Sequence, residues 1–295
     1  MLTSVNSLLN APYNKGSRVF FAFYRFFIWK FIRAFKIKGF TYKVWNDRKV
    51  LLDYRTFQSM SLMYNYWVDW EEYNLIDHAV RPEDTVLDVG SNQGLYTLRL
   101  SRYTTRGAVH SFEPDPGNFS YLKKHVELND LSAKVHINNM GVADRSGFLS
   151  FTQGLDGQNH LVTGSAPGTI EIPVITLDEY CRKESISHVR YLKIDIEGFE
   201  LAAFKGAGDL LRNGRIDIIQ MEVNEALEHS GTTVEELISF LLSCGYHLAG
   251  YDVKNNRLAA ITYSPEIENY FAVRDIATLN EQLQLAKTGK KKSGI

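Results

Sequence analysis

The chain has 295 residues, 44% of them hydrophobic and 23% charged, with a formal net charge of -1. That make-up fits one large globular domain, or a domain with an extension, and gives nucleic acid no general electrostatic hold. Cys181 and Cys244 lie far apart and form no C-x-x-C pair. This argues against a disulfide framework or a zinc site and for a reducing, cytoplasmic setting.

Residues 1–62 read as an N-terminal extension. Within it, residues 18–38 run RVFFAFYRFFIWKFIRAFKIK. A spanning helix needs about 20 mainly apolar residues, and Arg25, Lys30 and Arg33 interrupt this run. No small-residue cleavage site follows, so it is a poor signal peptide. On a helical wheel Arg18, Arg25, Arg33 and Lys36 share one face. Phe20, Phe23, Tyr24, Phe27, Ile28, Phe31 and Phe35 cover much of the other. Such a helix either lies in a membrane interface, which would place the protein peripherally at the inner face of a membrane, or packs its apolar face on protein. Residues 41–62 suggest a strand pair or loop, and 66–80 a helix that R-P-E-D then stops.

From residue 63 to about 280 the pattern is that of one α/β domain. Strands are expected at 85–89, 108–114, 133–139, 188–196, 216–223, 246–252 and 270–275. Helices are expected at 93–103, 117–128, up to about residue 211, and at 234–242. The alternation predicts a mostly parallel sheet with helices on both faces, its ligand beyond the carboxyl ends of the strands. Residues 145–176 break the rhythm with two strand-like stretches around Gly154, Gly157 and Gly164. They read as an inserted hairpin or flap over the site. The basic tail, 281–295, is expected to be disordered.

The chemistry begins at VLDVGSNQGLYT, residues 86–97. A strand, a glycine turn and a helix mark a nucleotide-binding crevice. The nicotinamide fingerprint is G-x-G-x-x-G; here Gly90, Asn92 and Gly94 give G-x-N-x-G, and Leu95 replaces the third glycine. Asp88 ends the strand. A carboxylate in that crevice repels a pyrophosphate and attracts a cation, which suits the sulfonium and ammonium of S-adenosylmethionine. Backbone N–H groups at the turn and helix start are expected to take its carboxylate. Glu113 ends the next strand, where an acid accepts ribose hydroxyls in any adenosine cofactor.

Two further strands end in acids. In YLKIDIEGFE (191–200), Lys193, Asp195 and Glu197 point one way; in IIQMEVN (218–224), Gln220, Glu222 and Asn224 do. A strand buried on both faces would be apolar throughout, so these acids mark a polar site. They can relay a proton, position sugar hydroxyls, or hold Mg²⁺. We take Asp195, Glu197 and Glu222 as the catalytic candidates and assign no metal. His229 is a weaker candidate base at the rim; His110, His136 and His188 read as structural.

VLDVGSNQGLYT, FEPDPGNFSYLKKHVELN, YLKIDIEGFE and IIQMEV, in this order, resemble the FkbM-type S-adenosylmethionine-dependent methyltransferases. The resemblance covers about residues 66–275. It implies a class I (Rossmann-like) methyltransferase fold, a seven-stranded sheet with an antiparallel last strand, and O-methylation of hydroxyls on sugars or natural products. Carried over by position, Asp88, Gly90, Ser91, Asn92, Gly94 and Glu113 would contact the cofactor. Met140, Gly141 and Val142 would lie along the adenine, and Asp195 and Glu197 would face the methyl group or the acceptor. Ser91 stands where the family often has alanine. The acceptor would be a small molecule or a glycan, with a homo-oligomer left open. The rivals are a nucleotide-sugar-modifying NAD-dependent oxidoreductase and a non-catalytic cofactor-binding scaffold.

Overall fold

A computed structural model describes residues 8–67, 69–154, 159–162 and 168–292, with side chains up to residue 286. Gly157 and Gly164 lie outside the described residues.

In chain order the elements begin with α1 (Val19–Ala34), β1 (Lys38–Val44), β2 (Arg48–Asp53), α2 (Phe57–Asn65) and α3 (Trp70–Ala79). The central part runs β3 (Thr85–Val89), α4 (Leu95–Leu100), β4 (Ala108–Phe112), α5 (Pro116–Leu128) and β5 (Val135–Asn138). The insertion holds β6 (Gly141–Val142), β7 (Gly147–Thr152), β8 (Leu161–Val162) and β9 (Thr169–Ile175). Then come α6 (Leu177–Lys183), β10 (Val189–Ile194), α7 (Glu200–Lys205), α8 (Gly208–Arg212), β11 (Ile216–Glu222), α9 (Val234–Ser243), β12 (His247–Asp252), β13 (Arg257–Ala260), β14 (Asn269–Val273) and α10 (Ile276–Lys292).

The main sheet has the order β13-β12-β14-β11-β10-β3-β4-β5. β5, β4, β3, β10 and β11 are parallel, and β14 is antiparallel to β11 and to β12. The expected seven strands with an antiparallel last one are therefore present. The sheet has eight, because β13 folds back on β12 as a hairpin within the last crossover. After β3 the chain builds outward to β5 and then crosses to β10 on the other side of β3. This switch opens a crevice beyond the carboxyl ends of β3 and β10. All six residues of β10 are buried, Arg190 and Lys193 included.

Caps fix the helix starts around this crevice. The Asp115 side chain accepts from Asn118 N at 2.8 Å with Pro116 in the first turn of α5, and Thr176 does the same for Glu179 N at α6. The insertion is a four-stranded sheet, β6-β9-β7-β8, over its own small core of Phe151, Leu161, Ile172 and Val174.

Three regions differ from the sequence reading. First, the N-terminal part shares a core with the domain. Leu8, Ala22, Trp29 and Ile32 pack in one cluster with Val86, Leu98 and Val109, and the boundary placed near residue 62 falls inside α2. Second, α1 turns its Arg25 side inward. Ala22, Arg25, Phe26, Trp29 and Ile32 are its buried residues. Arg25 bonds Asn14 Oδ1 and Met63 O and stacks on the Tyr66 ring. A buried guanidinium is tolerable there because it has acceptors and an aromatic face. Third, the tail is helical to Lys292. Leu279 and Leu283 are buried, and Asn280 exchanges two hydrogen bonds with the Leu258 backbone. α10 thus covers the β13 edge, which would otherwise present unpaired backbone.

Candidate active site

Beyond the carboxyl ends of β3, β4, β10 and β11 lies a cavity of ≈ 610 Å³. Gly90, Ser91, Asn92, Glu113, Met140, Gly141, Val142, Asp195, Glu197 and Glu222 all line it. Phe57, Gln58 and Ser61 of α2 add one wall, Asp69 and Tyr73 another, and Phe151, Asn159 and Leu161 of the insertion a third.

The first turn is shaped by contact with β10. Gly90 has φ +77°, and a Cβ there would stand 1.8 Å from the Asp195 carbonyl oxygen. Only glycine fits this crossing of the two strand ends. The turn's own amides do not face the cavity as free donors. Gly90 N and Ser91 N bond Phe112 O, Asn92 N bonds Glu113, Gln93 N bonds Asn92 Oδ1, and Gly94 N bonds Ser91 O. Of the groups expected to take a ligand carboxylate, the amides of residues 90–94 are therefore already engaged within the chain. The Ser91 hydroxyl likewise bonds Phe112 O, at 2.9 Å.

Two residues assigned to the cofactor are not on the cavity wall. Asp88 is fully buried; its Oδ2 accepts from Thr97 Oγ1 at 2.6 Å, and its Oδ1 lies 4.0 Å from Lys193 Nζ. It sits behind the cavity wall, facing Lys193. Gly94 caps α4 against Leu122, whose Cδ1 would lie 2.6 Å from a Cβ.

Glu113 is 5% exposed. Its two oxygens accept from Asn92 N at 2.7 Å and Asp115 N at 2.8 Å, which fixes the carboxylate and leaves further lone pairs. Burial pushes it up to about 8 despite these bonds. A vicinal diol would give it the donors it lacks.

The ends of β10 and β11 meet at a carboxyl pair. Asp195 and Glu222 both line the cavity here, close enough for the Asp195 charge to act on Glu222, and Asn224 Nδ2 donates to Glu222 Oε1 at 2.7 Å. Burial first, then the Asp195 charge, pushes Glu222 up to about 8. Burial, with Asp195 and Glu200 nearby, raises Glu197 to about 7. Glu197 has φ +55°, so the alternation of β10 ends before it and a turn directs it at the cavity. Gly198 follows with φ +102°, where a Cβ would stand 1.8 Å from Ala226 O. Buried Glu200 accepts from Ile196 N at 2.9 Å and holds this turn.

From sequence, Lys193 and Gln220 fall on the site side of their strands without a role, and Asp69 and Tyr96 are not singled out. Lys193 Nζ lies 3.2 Å from Asp195 Oδ2, donates to Gly90 O at 2.7 Å, and sits over the Tyr96 ring. Burial pulls its pKa down, but Asp195 and Asp88 outweigh this and leave it raised. Tyr96 OH donates to Asp69 Oδ2 at 2.5 Å and accepts from Gln220 Nε2 at 2.8 Å. Lys193 and Gln220 were legible, since each precedes a catalytic candidate by two residues on the same side of its strand. Asp69 sits just ahead of α3 and carries no such mark. His229 stacks on His160 at 4.0 Å and contacts Glu197 O, at the rim.

Among the described lining residues, carboxylates come from Asp69, Glu113, Asp115, Asp195, Glu197, Glu222 and Glu268, against Lys193 alone as a cation. As Glu113, Glu197 and Glu222 ionise on the approach to pH 8, a pyrophosphate meets growing repulsion here, and a sulfonium with an ammonium group meets growing attraction. Among the described residues, no group of three or more His, Cys, Asp or Glu is arranged to hold a metal ion.

Residues 88–248 match the Methyltransferase FkbM domain, more than half of the chain. The chain belongs to the FkbM methyltransferase family. The hexuronic acid methyltransferase AglP of Haloferax volcanii is 28% identical over 160 residues, 54% of this chain and 64% of that protein. The 31-O-demethyl-FK506 methyltransferase FkbM of Streptomyces tacrolimicus is 26% identical over 162 residues, 44% and 62%. The chain thus spans less than two thirds of the length of these relatives. The crystal structure of methyltransferase FkbM from Methylobacillus flagellatus is also similar. It is 15% identical with a TM-score of 0.45, covering 72% of this chain and 52% of that one.

The family's methyl donor is S-adenosylmethionine, and the cavity fits it. Glu113, with its two oxygens fixed, would be the group to hold a ribose, and Met140, Gly141 and Val142, which line the cavity beside it, would give a base a largely apolar edge.

Proposed function

We propose that this FkbM-family chain transfers a methyl group from S-adenosylmethionine to a hydroxyl of a neutral sugar unit, in a glycan, a glycolipid or a natural product. The observation that carries the reading is that Asp195 and Glu222, at the adjoining ends of paired strands β10 and β11, both line the cavity floor. S-adenosylmethionine supplies an electrophilic methyl group on a sulfonium. The chain's residues supply what a sugar hydroxyl lacks, which is orientation and a place for its proton.

The acceptor hydroxyl donates to the Asp195–Glu222 pair. With Glu222 protonated, the pair holds one proton between two carboxyls and Asp195 alone orients the hydroxyl. With Glu222 ionised, the pair takes the hydroxyl proton as the oxygen attacks. Lys193 fixes Asp195 from behind at 3.2 Å. Glu197 and Glu268 add negative charge at this end of the cavity. Once Glu197 is ionised, above about pH 7, that charge disfavours an anionic acceptor, so we assign a neutral sugar to this chain even though one relative is named for a hexuronic acid. The same charge disfavours NAD and with it the oxidoreductase reading.

The test is a tritiated-methyl transfer assay with neutral and uronic-acid oligosaccharides as acceptors. The reading expects label on neutral sugars, stable to mild base as an ether. Label only on uronic acids, released by mild base as methanol from an ester, would overturn the assignment.

A further inference from the structure

The inward turn of Arg25 leaves α1 with a second apolar face, and this face has no cover. Phe20 is 78% exposed, Phe27 67% and Phe35 68%; Tyr24 and Phe31 are exposed between them. At 100° per residue these side chains form one stripe along a helix of 16 residues, about 24 Å long. The stripe is opposite the buried Ala22, Arg25 and Trp29. Phe31 and Phe35 touch each other, ring to ring, at 4.6 Å, and little else shields them. A contiguous aromatic patch of this kind marks an interaction surface.

The charges around it identify the occupant. Lys30 borders the stripe; Lys15 and Lys36 are exposed just beyond the two ends of the helix, and Arg18 and Arg33 are exposed at its ends on the Arg25 side. Among the described residues none of Lys15, Arg18, Arg33 and Lys36 has a carboxylate partner. The first acidic residue of the whole chain is Asp47, and it is engaged by Arg48 and Arg102. A second copy of the chain, docked stripe to stripe, would bring together two basic segments that hold no acid before Asp47 to offset their mutual repulsion. An anionic lipid surface reverses the balance, because phosphates meet the cations and the rings enter the acyl boundary. No helix among the described residues is long and apolar enough to cross a membrane, so the contact is peripheral.

We propose that the outer face of α1 docks the protein onto an anionic lipid surface. The catalytic cavity is tied to this platform through α2. Phe57, Gln58 and Ser61 of α2 line the cavity, while α2 also packs against α1. Docking therefore sets the distance and tilt of the cavity relative to the lipid, as needed for a sugar acceptor carried on a lipid.

The experiment is co-sedimentation of the full chain with phosphatidylcholine vesicles, with and without phosphatidylglycerol. Two variants accompany it: F20E/F27E/F31E on the stripe and R18E/R33E/K36E at the two ends of α1. All six positions are exposed, so both variants should melt like the parent. Retained S-adenosylhomocysteine binding confirms the fold independently of the vesicles. The parent should bind phosphatidylglycerol vesicles at least about tenfold more tightly than pure phosphatidylcholine, and each variant should lose about tenfold or more. Equal sedimentation of the parent and both variants would overturn the proposal. A parent that ignores vesicles but forms a dimer dispersed by the stripe variant would overturn it as well, and would assign the face to a second copy.

Discussion

Lys193 faces Asp195 at 3.2 Å and Asp88 at 4.0 Å from inside the sheet, with its side chain 5% exposed. Removing one member of such a buried cluster costs more than the pair contributes, because the remaining charges stay buried without a partner. Lys193→Met should therefore destabilise the protein by about 3 kcal/mol, read as a shift in the urea midpoint. It should also weaken methyl transfer, since Asp195 loses its support. Asp88→Asn on the same background should recover part of the stability but none of the activity. Glu222 allows a sharper test. With its carboxyl raised to about 8, activity should climb with pH through that value and then level off. Glu222→Gln keeps the bond from Asn224 but accepts no proton. Its kcat should fall roughly 10²–10³-fold and its pH profile should flatten below pH 9. A variant with the parent's profile would remove Glu222 from proton transfer.

At the scale of elements, the alternating strands and helices were legible because each parallel strand is a short apolar run between polar turns. The ends of β10 and β11 were legible too, since acids there break an otherwise apolar pattern. Two things were not. The wheel of α1 showed an aromatic and a basic face, but the choice of which to bury depends on partners distant in sequence. Asn14, Met63 and Tyr66 satisfy Arg25, and residues 18–38 alone do not reveal them. The burial of Asp88 was not legible for a related reason. Its position at a strand end suggested the cleft, whereas Thr97 and Lys193 hold it one layer behind. α1 is consequently part of the fold rather than an appendage. Trp29 is 1% exposed in the shared core, and Trp29→Ala should cost about 3–5 kcal/mol by denaturant titration. Deleting α1 outright should give an insoluble or molten product; a truncated chain starting at Thr41 with the parent's melting temperature would contradict the shared core.

For the whole molecule, the concentration of buried acids has a thermodynamic consequence. Glu72, Glu113 and Glu222 are raised to about 8 and Glu197 and Glu200 to about 7, chiefly by burial. In the unfolded chain a glutamate titrates near ~4.3. Between those limits the folded state keeps protons that the unfolded state has released. Stability should therefore fall as pH rises from about 4.5 to about 8 and change little from these groups beyond. Differential scanning calorimetry at pH 5.5 and 8 should show a drop of roughly 5 °C or more, reduced in Glu222→Gln. Most of these acids surround one cavity, so a cationic ligand bound there should offset the loss at high pH. The most direct test of the account is isothermal titration calorimetry of the purified chain at pH 8 with S-adenosylmethionine, S-adenosylhomocysteine and NAD. The account predicts one saturable site for each of the first two, loss of both in Glu113→Ala, and no heat from NAD. A folded protein that binds NAD, or that binds neither sulfur compound, would contradict it.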